Sequence, residues 1–114
     1  MRVLLDEHMH VQLRQLFDEG IEAETVRYRE WTTLENGALM RAAEAEYDAF
    51  VTMDRGIPHQ HELADFDLAV VVLEAKSNKY DAVAPLMPEV NRALQDAKPG
   101  TATDVGQVGE ERST

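Results

Sequence analysis

The sequence contains no cysteine. Disulfides, thiolate metal sites and cysteine nucleophiles are therefore excluded, and any chemistry must come from oxygen and imidazole groups. Long hydrophobic runs are missing too. The longest, Leu68 to Leu73, is far short of the roughly 20 residues that a membrane-spanning helix needs. Met1 leads straight into an apolar strand without the basic and apolar regions of a secretory leader, so the expectation is a cytoplasmic protein with no membrane partner. Bases are scarce: 11 Lys and Arg stand against 22 Asp and Glu, for a formal charge of −11. This balance argues against a protein that coats nucleic acid electrostatically, although it permits a local basic patch. Solubility, or tolerance of high salt, accounts for the acidic excess.

With 114 residues, 44% of them hydrophobic and 29% charged, the chain has the size and composition of one globular domain with one core. Arg2 to Leu5 is a short apolar run ending in Asp6-Glu7, as a buried parallel strand would be. Leu13, Leu16 and Phe17 repeat at helical spacing and predict a helix over His10 to Glu19, with Gly20 as its C-cap. A second strand follows near Glu22 to Val26. Asn36 to Tyr47 carries Leu39, Ala42, Ala43 and Tyr47 on one face, a second helix that Asn36 can cap. Ala49 to Met53 and Leu68 to Leu73 read as the third and fourth strands, the former stopped by the turn Asp54-Arg55-Gly56-Ile57-Pro58. Asp81 to Ala97 has a helical pattern that Pro85 and Pro88 must kink or split. Thr101 to Val105 admits a short edge strand, which places the domain at residues 1–105 and a frayed polar tail from Gly106 to Thr114.

Strands and helices thus alternate, the pattern of a single three-layer α/β domain with a mostly parallel central sheet and helices on both faces. Right-handed crossovers and short loops give the strand order 2-1-3-4. In such a sheet ligands bind beyond the carboxyl ends of the strands where the winding direction reverses, here between the first and third strands. Both of these end in aspartate. Neighbouring strands lie about 4.8 Å apart, so Asp6 and Asp54 can share or flank a cation that offsets their mutual repulsion. Oxygen-only donors favour Mg²⁺ or Mn²⁺. The plainer alternative is that both are solvated turn residues, which Asp favours.

The start of the second helix supplies Glu35 and Asn36 as further polar candidates, and capping explains the pair equally well. Arg27, Arg29, Arg55, Lys76 and Lys79 fall in loops along the same edge of the sheet, a cationic rim that suits a phosphodiester. Exposed loops carry such residues in any protein. Ser77-Asn78-Lys79 has the groups to hold a phosphate but reads first as a turn. The pairs His8/His10 and His59/His61 would chelate a metal only in a strand or loop, and read first as surface residues. Tyr28 and Trp31 offer surfaces for stacking on a base, with loop packing as the simpler role.

Three segments together, Met1-Arg2-Val3-Leu4-Leu5-Asp6-Glu7, Glu35-Asn36-Gly37 ahead of Leu39, Met40 and Ala43, and Phe50-Val51-Thr52-Met53-Asp54, resemble the small PIN-like nuclease family. The likeness runs from Met1 to about Pro99 and includes Ser77-Asn78 after the fourth strand. It implies a PIN-type fold, Mg²⁺ or Mn²⁺ held by Asp6, Asp54 and Glu35, and water-mediated cleavage of an RNA substrate. It also brings in toxins of bacterial toxin–antitoxin pairs, with an antitoxin protein as partner, and admits a homodimer. Asn36 stands where many relatives carry Asp. Asn is a neutral ligand and cannot act as a base, so either Glu35 substitutes or the site is weakened. Two other readings compete. One is a receiver-like phosphoacceptor domain with Asp54 as acceptor, since Asp54 to Pro58 resembles its Asp-x-x-Met-Pro turn and Lys98-Pro99 its Lys-Pro. The other is a catalytically inactive PIN-like binding module.

Overall fold

The computed structural model describes residues 1–106; the expected tail from 107 onward lies outside the described residues. Five parallel strands, β1 (Arg2–Leu5), β2 (Glu22–Thr25), β3 (Ala49–Thr52), β4 (Ala69–Glu74) and β5 (Ala102–Gly106), form one sheet in the order β2-β1-β3-β4-β5. Gly106 thus belongs to the edge strand rather than to a tail. The helices are α1 (Asn36–Glu44), α2 (Ile57–Gln60), α3 (Tyr80–Val83) and α4 (Met87–Asp96), joined by short 3-10 segments at Val11–Leu16, Leu63–Asp65 and Ala84–Leu86. No helix among the described residues is long and apolar enough to cross a membrane.

The central strands are apolar except at Arg2, Thr52 and Glu74 near their ends, because both faces of the sheet are covered. On one face Val3, Leu5, Val51, Val71 and Leu73 pack against Leu13 and against Val83, Met87, Val90 and Leu94 of α3 and α4. On the other face Leu4, Phe50, Val70 and Val72 pack against Leu39, Met40 and Ala43 of α1 and against Ile57, Leu63 and Phe66. The result is a three-layer α/β domain. Pro85 and Pro88 split the last helical stretch into α3, a 3-10 turn and α4, because proline is tolerated only in the first turn of a helix.

The first predicted helix is shorter than its periodicity suggests. Only Val11–Leu16 is helical, in 3-10 form, and it ends at Phe17. The buried Asn91 of α4 explains the stop: its Nδ2 donates to the Leu16 carbonyl at 3.0 Å and its Oδ1 accepts from the Asp18 amide at 3.0 Å, taking the backbone groups that would have continued the helix. Gly20, expected as a helix cap, instead occupies a turn closed by Ile21 N–H on Asp18 O at 3.1 Å, where its φ of 94° suits glycine.

The crossovers do not all have the same hand. The steps from β3 to β4 and from β4 to β5 go the same way along the sheet. The first passes over the α1/α2 face and the second over the α3/α4 face, so the two have opposite hands, against the usual rule for parallel strands. This matters for the site. The chain leaving β4 turns back over the β1 side, and Asn78 Nδ2 donates to the His8 carbonyl at 3.0 Å, fastening the loop after β4 to the loop after β1.

Candidate functional site

At the carboxyl ends of β1 and β3, Asp6, Glu7, His8, Asn36, Met53 and Asp54 line a cleft of about 240 Å³. Asp6 follows β1 directly, and its amide continues the ladder by donating to Val51 O at 3.0 Å. Asp54 lies two residues beyond β3. Thr52, fully buried at the end of β3, joins them. Its hydroxyl donates to Asp6 Oδ2 at 2.5 Å and accepts from the Asp54 amide at 3.0 Å. Asp6 Oδ1 accepts from the Glu7 amide at 2.8 Å. Asp54 Oδ1 accepts from the Gly56 amide at 2.9 Å, and Asn36 Nδ2 reaches Asp54 Oδ2 at 3.4 Å. Each carboxylate oxygen therefore has one donor that fixes its rotamer, with lone-pair capacity left for a further ligand.

Helix phase decides between Glu35 and Asn36. Glu35 occupies the N-cap position of α1 without a side-chain cap bond, and Asn36 is the first helical residue, so the expected Asn36 cap is replaced by a contact to Asp54. Glu35 is exposed and lines a neighbouring concavity with Gln60 and His61. Among the described residues no three His, Asp or Glu side chains converge. Glu7 and His8 also line the cleft but do not converge with the two aspartates, so the donor set is the Asp6 and Asp54 carboxylates and the Asn36 carboxamide. That set fits Mg²⁺ or Mn²⁺, since Mg²⁺ commonly takes one or two carboxylates and completes its shell with water and phosphate oxygens.

The cationic rim is thinner than the sequence suggests. The Arg29 guanidinium donates to Glu46 Oε2 at 2.8 Å and to the Tyr47 hydroxyl at 2.7 Å, and stacks 4.1 Å from the Trp31 ring. Its charge is spent on residues leading into the amino end of β3. These bonds raise the Arg29 pKa, Glu46 contributing most, and hold the Glu46 carboxyl below its ordinary value. Burial, then the hydrogen bond to Glu24, push the Tyr47 phenol up. Arg55 pairs with Glu74 at 3.5 Å and lines a separate cleft of about 180 Å³ toward β5. Arg27, Lys76 and Lys79 are exposed and make no ion pair among the described residues. Ser77 Oγ accepts from the Lys79 amide at 3.2 Å, so Ser77-Asn78-Lys79 is a turn, tied to the Asp6 loop through Asn78.

One residue of the site, and one of the neighbouring Arg55 cleft, escape a reading of motifs alone. Thr52 is a lone hydroxyl in an otherwise apolar strand, two residues before Asp54, and that is its signal. Glu74 closes β4 as Asp6 follows β1; its Oε1 is buried with no hydrogen-bond partner. Comparison with protein-family models, curated proteins and solved structures finds no match to this chain.

Proposed function

We propose that the protein is a metal-dependent ribonuclease of the PIN-like type, acting in the cytoplasm. The observation that carries the reading is the Asp6–Thr52–Asp54 linkage, which holds two carboxylates at the switch point of a parallel sheet. Asp6 and Asp54 would hold Mg²⁺ or Mn²⁺. When bound, such an ion makes water a stronger nucleophile and offsets charge building on a phosphate. Thr52 keeps Asp6 aimed into the cleft, and Asn36 does the same for Asp54. Arg27, Lys76 and Lys79, which make no ion pair among the described residues, supply positive charge for the phosphates of the strand, which a protein of charge −11 otherwise repels. Being the toxin of a toxin–antitoxin pair, with an antitoxin protein as partner, belongs to the same reading and rests on the motif resemblance.

The receiver-like alternative lacks its lysine. Lys98 precedes β5 and so lies at the amino end of the parallel sheet, opposite Asp54. Among the described residues no contact favours phosphoacceptor chemistry over hydrolysis.

The deciding experiment follows a labelled single-stranded RNA with purified protein. Cleavage is expected with added Mn²⁺ or Mg²⁺, to stop with EDTA, and to return when Mn²⁺ is restored. Cleavage that persists in EDTA, or none with any divalent cation, would contradict the reading.

A further inference from the structure

We propose that the recess between the loops after β1 and β2 binds an unpaired nucleobase of an RNA strand whose phosphate lies at Asp6 and Asp54. This rests on the nuclease reading above and names the form of its substrate. The recess has a volume of about 470 Å³, floored by Met9 and walled by Val11, Thr25, Arg27 and Tyr28. That volume lies within the roughly 300–1,000 Å³ of small-ligand pockets.

Three observations select a base as the occupant. The first is exposure: Tyr28 is 71% and Val11 54% exposed, so two large apolar side chains that would ordinarily be buried meet in one concavity. Tyr28 is presented rather than packed. Its amide donates to Thr25 Oγ1 at 3.0 Å, fixing the loop, while its ring stacks on no aromatic or cationic group among the described residues. Trp31, from the same loop, is by contrast occupied by Arg29 and Tyr47. The second observation is continuity, because Glu7 lines both the recess and the Asp6/Asp54 cleft. A strand laid across the end of β1 meets the cleft on the β3 side and the recess on the β2 side. The third is charge: Arg27, which makes no ion pair among the described residues, brings a cation to the recess beside its apolar wall, the combination that takes a base and its adjoining phosphate. A duplex keeps its base faces stacked, so the recess suits a single strand.

The test is fluorescence anisotropy of a short labelled single-stranded RNA at low salt in EDTA, where binding is read without cleavage. Tyr28→Ala is expected to weaken binding on the order of 10-fold, the size of one base–aromatic stack, and Tyr28→Phe to keep wild-type affinity. Asp54→Asn should bind at least as tightly as wild type, having lost a like charge. The proposal falls if Tyr28→Ala binds like wild type, if duplex RNA of the same sequence binds as well as the single strand, or if wild type does not bind. The two readings separate cleanly. Mn²⁺-dependent cleavage lost in Asp54→Asn, with RNA binding unchanged in Tyr28→Ala, keeps the nuclease and removes the base site. Tyr28-dependent binding without cleavage under any cation does the reverse.

Discussion

Asp54→Asn is expected to lower Mn²⁺-dependent RNA cleavage by about 10²-fold or more while leaving the protein folded. Asparagine has nearly the same shape and keeps an oxygen to accept the Gly56 amide, so the turn that starts at Asp54 survives. What disappears is one of the two carboxylates joined through Thr52; Glu7 also lines the cleft but does not converge with them. Changes to groups that merely orient ligands commonly cost 10- to 100-fold in metal affinity or activity, and loss of a ligand charge should exceed that range. Asp6→Asn should behave alike. Glu35→Gln should stay within about 2-fold of wild type, since Glu35 lines a different concavity from the two aspartates. Wild-type cleavage by Asp54→Asn, with Mn²⁺ dependence intact, would show that the chemistry lies elsewhere.

The second large effect concerns Thr52. Thr52→Val keeps the β-branched shape and fills the same space but removes the hydroxyl. The Asp54 amide then loses its acceptor and Asp6 Oδ2 its donor. Leaving part-buried groups unpaired costs about 1–3 kcal/mol, and the loosened Asp6 rotamer should weaken cation binding as well. Urea unfolding of wild type, Thr52→Val and Thr52→Ser measures the first effect, and Mn²⁺ titration the second. Thr52→Ser, which restores the hydroxyl, should recover most of the cation affinity. A Thr52→Val protein as stable and as responsive to Mn²⁺ as wild type would mean that the linkage between the aspartates has no energetic weight.

The strands were legible because a sheet covered on both faces demands apolar runs, and Arg2–Leu5, Ala49–Thr52 and Ala69–Glu74 each contain one. Their order followed from topology, and with it the meeting of Asp6 and Asp54 at one cleft. Less accessible was anything decided by partners far along the chain. Asn91 cuts short the helix after β1 from 75 residues away. The loop after β4 reaches His8 only because the last crossover takes the opposite face. Arg27 and Arg29 are equivalent in sequence, two bases in one loop, yet Glu46, Tyr47 and Trp31 withdraw only Arg29. Glu35 and Asn36 differ by one position at a helix start: Glu35 is the extended N-cap and Asn36 the first helical residue, and it is the amide rather than the acid that meets Asp54. Tyr28 and Trp31 could not be told apart until packing claimed the tryptophan.

The most direct measurement of the central claim, that Asp6 and Asp54 form a divalent cation site, is thermal unfolding with and without Mn²⁺ or Mg²⁺, on wild type and Asp54→Asn. A ligand bound only by the folded state stabilises it by about 2.7 kcal/mol at one hundred times its dissociation constant. Wild type should therefore melt several degrees higher with saturating Mn²⁺, and the shift should vanish or shrink sharply in Asp54→Asn. An equal shift in both proteins, or none in wild type, would contradict the site.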